Sequence, residues 1–240
     1  MKSLPTFEIK PIATLHSPFK QKFGLPRQSG LINTCTATLE LLPPYNTLDA
    51  VKGLSEFSHA WLIFKFHQNK EDTFRPLIRP PRLGGNKKIG VFASRSSYRP
   101  NGLGMSQVEI LNITSPSNKV LIEISCPDIL DKTPIFDIKP YIAYSDSVPE
   151  AISGFAQTPP TPSLLVNFNE TCQLFIKENR QNYNHDLKAL IIEVLSFDPR
   201  PAYKALEDNK IYTIRLFDMD ITWTVTAGKV NVTKIEKLLD

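Results

Sequence analysis

Short runs of alternating polar and apolar residues, fenced by proline and glycine, set the limits on how this chain folds. The 240 residues include 20 prolines and 10 glycines, clustered between the runs rather than inside them, which argues for many short elements. Strand-like runs occupy residues 8–15, 32–42, 59–66, 90–93, 107–113 and 120–125. Alternation is clearest in the third. There His59, Trp61, Ile63, Lys65 and His67 share one face, and Ala60, Leu62, Phe64 and Phe66 share the other, which reads as core. A short helix is expected at 47–54, capped by Asn46 or Thr47 and ended near Gly53. Helical periodicity is otherwise absent before about residue 168. Residues 1–152 therefore read as a mainly β domain, a barrel or a sandwich.

Residues 153–163, Ser-Gly-Phe-Ala-Gln-Thr-Pro-Pro-Thr-Pro-Ser, have the composition of a linker. Beyond them the pattern changes. Helices are expected at 169–179 and 186–195, the second with Leu187, Leu190, Ile191 and Val194 along one stripe, and Asp198-Pro-Arg-Pro stops it. Residues 211–217 and 221–227 flank Asp218-Met-Asp220 as a hairpin, and a helical tail is expected to end the chain. Residues 164–240 thus read as a small α+β domain, of a size that needs docking or a partner to be secure.

Several function classes drop out. A hydrophobic content of 41% with 22% charged residues is ordinary for a globular protein. No apolar stretch approaches the ~20 residues needed to cross a bilayer, and residues 1–10 lack a signal-peptide core, so a cytoplasmic protein with no membrane partner is expected. Cys35, Cys126 and Cys172 are odd in number, far apart and without a CxxC pair. A disulfide or zinc site is therefore not expected, and a reducing compartment is. His16, His59, His67 and His185 lack metal-ligand spacing, so no metal is expected. A nucleophile elbow of the Gly-x-Ser-x-Gly type is also missing.

The net charge of +4 says little, but its distribution says more. From Arg75 to Arg99 there are seven basic side chains (Arg75, Arg79, Arg82, Lys87, Lys88, Arg95 and Arg99) and no acidic one. Pro80-Pro81 stiffens this segment, and Gly84-Gly85 allows backbone N–H groups to approach a ligand. Arg95 and Arg99 carry the planar fork that suits a phosphate or carboxylate. The glycines are not followed by Gly-Lys-Ser/Thr, and no βαβ unit surrounds Gly102-Leu-Gly104, so neither a phosphate-binding P-loop nor a dinucleotide fold is indicated. Three more polar clusters sit at strand ends: Pro26-Arg-Gln-Ser-Gly30, His67-Gln68, and Asp131-Lys-Thr-Pro-Ile-Phe-Asp-Ile-Lys-Pro-Tyr141. Whether Asp131 and Asp137 converge as an acid–base pair or merely cap a turn stays open at this level.

These same segments identify a family. Gly90-Val-Phe-Ala-Ser-Arg-Ser-x-x-Arg-Pro-Asn101 resembles a signature of the TsaA-like, or TrmO, methyltransferases. So do Ser17-Pro-Phe-Lys with Pro26-Arg-Gln, Gly53-Leu-x-x-Phe-Ser-His59, Arg79-Pro-Pro-Arg-Leu-Gly-Gly-Asn86 and Asp137-Ile-Lys-Pro-Tyr141. Asp198-Pro-Arg-Pro-Ala-Tyr203 resembles the family's smaller C-terminal domain. The resemblance implies a β-barrel enzyme, generally a homodimer, that uses S-adenosylmethionine to N6-methylate threonylcarbamoyl-adenosine beside the anticodon of certain tRNAs. It implies cofactor contacts at Gln28, Ser29, Gly30, His67, Gln68, Arg95, Gly104, Asp131, Lys132, Thr133 and Pro134. Three positions depart from the family pattern. Ser29 and Gly102 stand where proline is usual, and Lys132 stands where glycine is usual, bringing a cation near the expected cofactor site.

His67 and Asp137 are the candidates for a base that assists the weakly nucleophilic nitrogen. Arg82, Lys87, Lys88 and Arg99 are candidate tRNA phosphate contacts, and Arg200 and Lys204 would extend that surface on the second domain. Two competing readings remain: a non-enzymatic RNA-binding adaptor that keeps a cofactor pocket, and a methyltransferase of another small substrate.

Overall fold

A computed structural model describes residues 5–69, 75–84, 86–201 and 209–238. The first half supplies β1 (Ala13–His16), β2 (Thr36–Leu41), β3 (His59–Lys65), β4 (Leu77–Ile78), β5 (Ile89–Gly90), β6 (Leu103–Thr114), β7 (Leu121–Ser125) and β8 (Pro134–Pro140). Six of these close into a barrel in the order β1-β2-β7-β6-β3-β8, with every neighbouring pair antiparallel. Closure leaves the barrel no free edge.

The alternation read in β3 is the one observed. Ala60, Leu62 and Phe64 are buried, Leu62 and Phe64 in the same core as Leu15, Leu39, Ile122 and Ile135. Some boundaries differ. The strand expected from residue 8 begins only at Ala13, just past Pro11, which brings no N–H to a ladder. The expected strand at 90–93 is a tight 3-10 turn, Val91–Ala93, with Val91 buried as its anchor. The helix expected at 47–54 is two 3-10 turns, Leu48–Val51 and Leu54–Glu56, the first capped by the Thr47 side chain. β8 is a strand that the sequence pattern does not announce; its proline falls at the first position, where a missing donor is tolerated.

A one-turn helix, α1 (Ala143–Asp146), follows the barrel. The second half contains β9 (Leu165–Phe168), α2 (Glu170–Glu178), α3 (Leu187–Ser196), β10 (Tyr212–Leu216), β11 (Met219–Thr226) and β12 (Lys229–Lys237). Its sheet runs β10-β11-β12-β9, antiparallel except where β9 lies parallel to β12. Asn169 and Asp186 cap α2 and α3 by accepting from Cys172 N at 2.8 Å and Ala189 N at 3.0 Å. The helical tail expected at the C-terminus is instead β12. Val230 and Val232 alternate inward at period two, and Ile235 keeps that face after a bulge in the pairing.

Two cores result. The second contains Trp223, Ile191, Leu190 and Met219, and it also takes in Phe19, Ile32, Cys35, Cys126 and Leu130 from the barrel's connecting loops. The cysteine expectation is corrected here. β2 pairs with β7 in the register Thr36↔Ser125, so one further step faces Cys35 with Cys126. Their Cα atoms lie 5.1 Å apart and the two are disulfide-bonded, whereas Cys172 is free and buried. A separation of 91 residues hid a pair that strand register makes adjacent. Among the described residues no helix is long and apolar enough to cross a membrane.

Candidate functional site

Strand direction gathers the polar clusters. In the antiparallel barrel, β1, β3 and β7 end where β2, β6 and β8 begin, as the pairings His16↔Thr38, Lys65↔Leu103 and Thr36↔Ser125 require. The connections 17–35, 66–69, 94–102 and 126–133 therefore converge on one rim of the barrel. They carry nearly every residue expected to touch a cofactor.

Direct contacts tie these connections together. His67 Nδ1 lies 3.2 Å from Thr133 Oγ1. Arg95 Nη1 donates to Gln28 Oε1 at 2.7 Å. Lys22 Nζ donates to Gln68 O at 2.9 Å and to Asn69 Oδ1 at 2.7 Å, and Asn69 Nδ2 donates to Ser97 O at 2.6 Å. Asp131 is held from two sides, by Ser17 N at 3.0 Å and Lys20 Nζ at 2.7 Å. Gly104 faces Phe64 across β6 and β3 so closely that a Cβ there would stand 2.4 Å from the Phe64 ring. Arg95, His67 and Gln68 remain exposed, while Gln28, Ser29 and Pro134 are half-buried and Thr133 is buried.

Sequence reasoning passed over one carboxyl. Asp128 accepts a hydrogen bond from Ser106 Oγ and also faces the Ser29 backbone and the Arg95 guanidinium. Burial raises its pKa above the ordinary carboxylate range, although those partners pull the other way. Its clue was position: Pro127-Asp-Ile-Leu130 places a carboxylate amid apolar residues three before Asp131. His67 is shifted oppositely. Partial desolvation of the ring and the Lys22 ammonium lower its pKa against a smaller pull from Asp131, so the imidazole is neutral at neutral pH.

Other expected residues stand apart. Asp137 pairs with Lys139 at 2.9 Å and accepts from Ile138 N; among the described residues no hydrogen bond or ion pair links it to His67, Thr133 or Arg95. Lys132 is exposed and takes the left-handed conformation, φ 59°, that explains the family's glycine; its N–H donates to Leu15 O at 2.7 Å. Lys87 and Lys88 are exposed, as expected of cations that meet a polyanion. Arg99 donates to Ser94 O at 3.2 Å and braces its own loop, and Arg82 donates to Thr158 O. Arg200 does not extend a basic surface: it is 3% exposed and forks onto Asp198 at 2.8 and 2.9 Å. Gly85 and Lys204 lie outside the described residues. Two exposed aromatics border the basic segment: Phe92, and Tyr98 with Lys22 and Arg75 each 6.0 Å from its ring centroid.

The rim thus sets one cation, Arg95, beside one carboxyl, Asp128, with amide, hydroxyl and imidazole groups around them. Such a donor set suits a ligand that bears both charges.

Comparison with known proteins reaches the same segments. The family model described as the tRNA-methyltransferase O N-terminal domain matches residues 14–147, and that of the TrmO C-terminal domain matches 161–238. The chain is 41% identical to tRNA (adenine(37)-N6)-methyltransferase of Escherichia coli K12, over 97% of this chain and 99% of that protein. It is 42% identical to a putative S-adenosylmethionine-dependent methyltransferase of Pseudomonas aeruginosa, over 91% and 92%. A crystal structure of TrmO from Pseudomonas aeruginosa superposes with a TM-score of 0.80 at 34% identity, covering 98% of this chain and all of that one.

Proposed function

This chain belongs to the TrmO family of S-adenosylmethionine-dependent tRNA methyltransferases, and we propose that its substrate is the N6 nitrogen of threonylcarbamoyl-adenosine beside the anticodon. The observation that carries the reading is the convergence of Gln28, Ser29, Gly30, His67, Gln68, Arg95, Gly104 and the 131–134 turn on one barrel rim. These residues fit the cofactor chemically. Arg95 suits its carboxylate, Asp128 suits its positive charges or ribose hydroxyls, and the turn at Lys132, whose side chain is exposed, offers backbone alone.

Bound S-adenosylmethionine supplies an electrophilic methyl group on a sulfonium. The protein's own work is alignment and proton control. Methyl transfer is an in-line displacement, so a rim that fixes donor and acceptor contributes most of the acceleration. His67, neutral at neutral pH and oriented by Thr133, is the better-supported acceptor for the proton of the carbamoylated nitrogen. Asp137, neutralised by Lys139, is the lesser candidate. Lys87 and Lys88 would meet tRNA phosphates, with Arg82 and Arg99 as secondary contacts, which makes binding fall with salt. The anticodon loop is already single-stranded, so presenting its base costs little. In this reading residues 1–152 form the catalytic domain, 153–163 a linker and 164–240 a companion domain of a cytoplasmic homodimer.

The test is incubation with labelled S-adenosylmethionine and total tRNA from a strain lacking its own enzyme, followed by nucleoside analysis. Label is expected in methylated threonylcarbamoyl-adenosine. Label in another nucleoside would overturn the substrate, and none in tRNA despite cofactor binding would favour the adaptor or small-substrate reading. Arg95→Ala is expected to weaken cofactor binding by about tenfold or more in calorimetry; unchanged binding removes Arg95 from the site.

A further inference from the structure

The segment between β1 and β2 carries Gln28, Ser29 and Gly30, yet much of it rests on the second core rather than on the barrel. Phe19 forms an isolated antiparallel bridge with Leu216, and Phe217 N donates to Pro18 O at 2.8 Å. Phe19 and Ile32 are buried with Ile214 and Trp223. Gly24 sits so close to β10 that a Cβ on it would lie 3.1 Å from Ile214 Cγ2. A cavity of about 40 Å³ separates residues 24–27 and 31–32 from Val194, Phe197 and Pro199, leaving little room between loop and helix α3.

The polar tie is more specific. One carboxylate oxygen, Glu193 Oε2 on α3, accepts from Asn33 N at 3.0 Å, Thr34 N at 3.1 Å and Thr34 Oγ1 at 2.7 Å. The next residue is Cys35, joined to Cys126, and two residues beyond Cys126 stands Asp128. Glu193 therefore pins the point from which both the 28–30 loop and, through the disulfide, the 126–134 turn leave the barrel. We infer that the second unit serves as a clamp on the cofactor loop, with Glu193 as its positioning residue for S-adenosylmethionine binding. This rests on the proposal that residues 28–30 touch the cofactor.

The physical reason is conformational entropy. Residues 24–34 form no regular element, and Gly24 and Gly30 hold positive φ. Released from α3, such a loop populates many conformations, and the binding-competent fraction scales apparent affinity directly. The inward turn of Arg200 agrees with a bracing role for this unit.

Full-length Glu193→Ala, Glu193→Gln and Thr34→Val test this by calorimetry with S-adenosylmethionine and by steady-state methylation of tRNA. Glu193→Ala is expected to weaken cofactor binding about tenfold, with the loss in KM for the cofactor and not in kcat or KM for tRNA. Glu193→Gln keeps an acceptor oxygen and recovers most of the affinity. Unchanged cofactor binding in folded Glu193→Ala, or a loss shared equally by tRNA and kcat, overturns the inference. Should the alanine variant fail to fold, Thr34→Val decides: about threefold weaker binding supports the clamp, and native binding overturns it. Arg95→Ala runs alongside. Native binding in both variants overturns the site reading and the clamp together, whereas weakened binding in Arg95→Ala with native binding in Glu193→Ala overturns the clamp alone.

Discussion

Asp128 and Asp131 stand three residues apart and meet opposite surroundings. Asp131 has the Lys20 ammonium in contact at 2.7 Å and the Ser17 N–H, while Asp128 has a hydroxyl, the Ser29 backbone, a guanidinium that makes no ion-pair contact with it, and apolar neighbours. Burial therefore raises the Asp128 pKa in the folded protein. The sign follows from proton counting: the folded state holds this proton more tightly than the unfolded chain. Stability from the group is complete below the ordinary carboxylate pKa of about 4 and is lost as pH rises through the folded pKa. Asp128→Asn cannot ionise, so its stability relative to the parent should improve between pH 4 and pH 7 in thermal unfolding. A difference that stays flat across that range would mean the carboxyl is not burdened by burial. The two aspartates were equally visible in the sequence. Only their neighbours, brought in from the connection after β1 and from β6, distinguish them.

At the scale of elements, β3 and β6 decide how the rim is built. Their register sets Phe64 opposite Gly104, with the Phe64 and Phe66 rings edge to face at 5.2 Å between centroids. Here glycine is a matter of space: a Cβ would stand 2.4 Å from Phe64 and 2.9 Å from Phe66. Gly104→Ala should cost about 1–3 kcal/mol in denaturant unfolding, as overpacking of a core does, and should weaken cofactor binding by displacing the strand. Native stability would show that the rings can step aside freely. Alternation made β3 legible because each face has one character. Sequence alone suggests helix for β12, since its lysines and glutamate suit either period until the buried valines are seen against β11.

For the whole molecule, the Cys35–Cys126 link closes the 91-residue span between strands that are already neighbours. It lies where the barrel's loops enter the second core. Disulfides typically contribute about 2–4 kcal/mol, so Cys35→Ser, or reductant, should lower the unfolding midpoint, with the parent and Cys35→Ser converging under reductant. No shift on reduction would mean the bridge adds nothing to the native fold. The sequence by itself determined most of the barrel strands, helices α2 and α3 and the family, because strand period, turn residues and ordered motifs are local quantities carried in consecutive residues. It also named most of the rim, since those residues lie in the same motifs. Tertiary structure decided the rest: the cysteine pairing, the partial burial of Asp128 and the full burial of Arg200, and the hold of Glu193 on Thr34. Each depends on which distant segments pack together, and on the local dielectric and partners that packing creates, which no local pattern records.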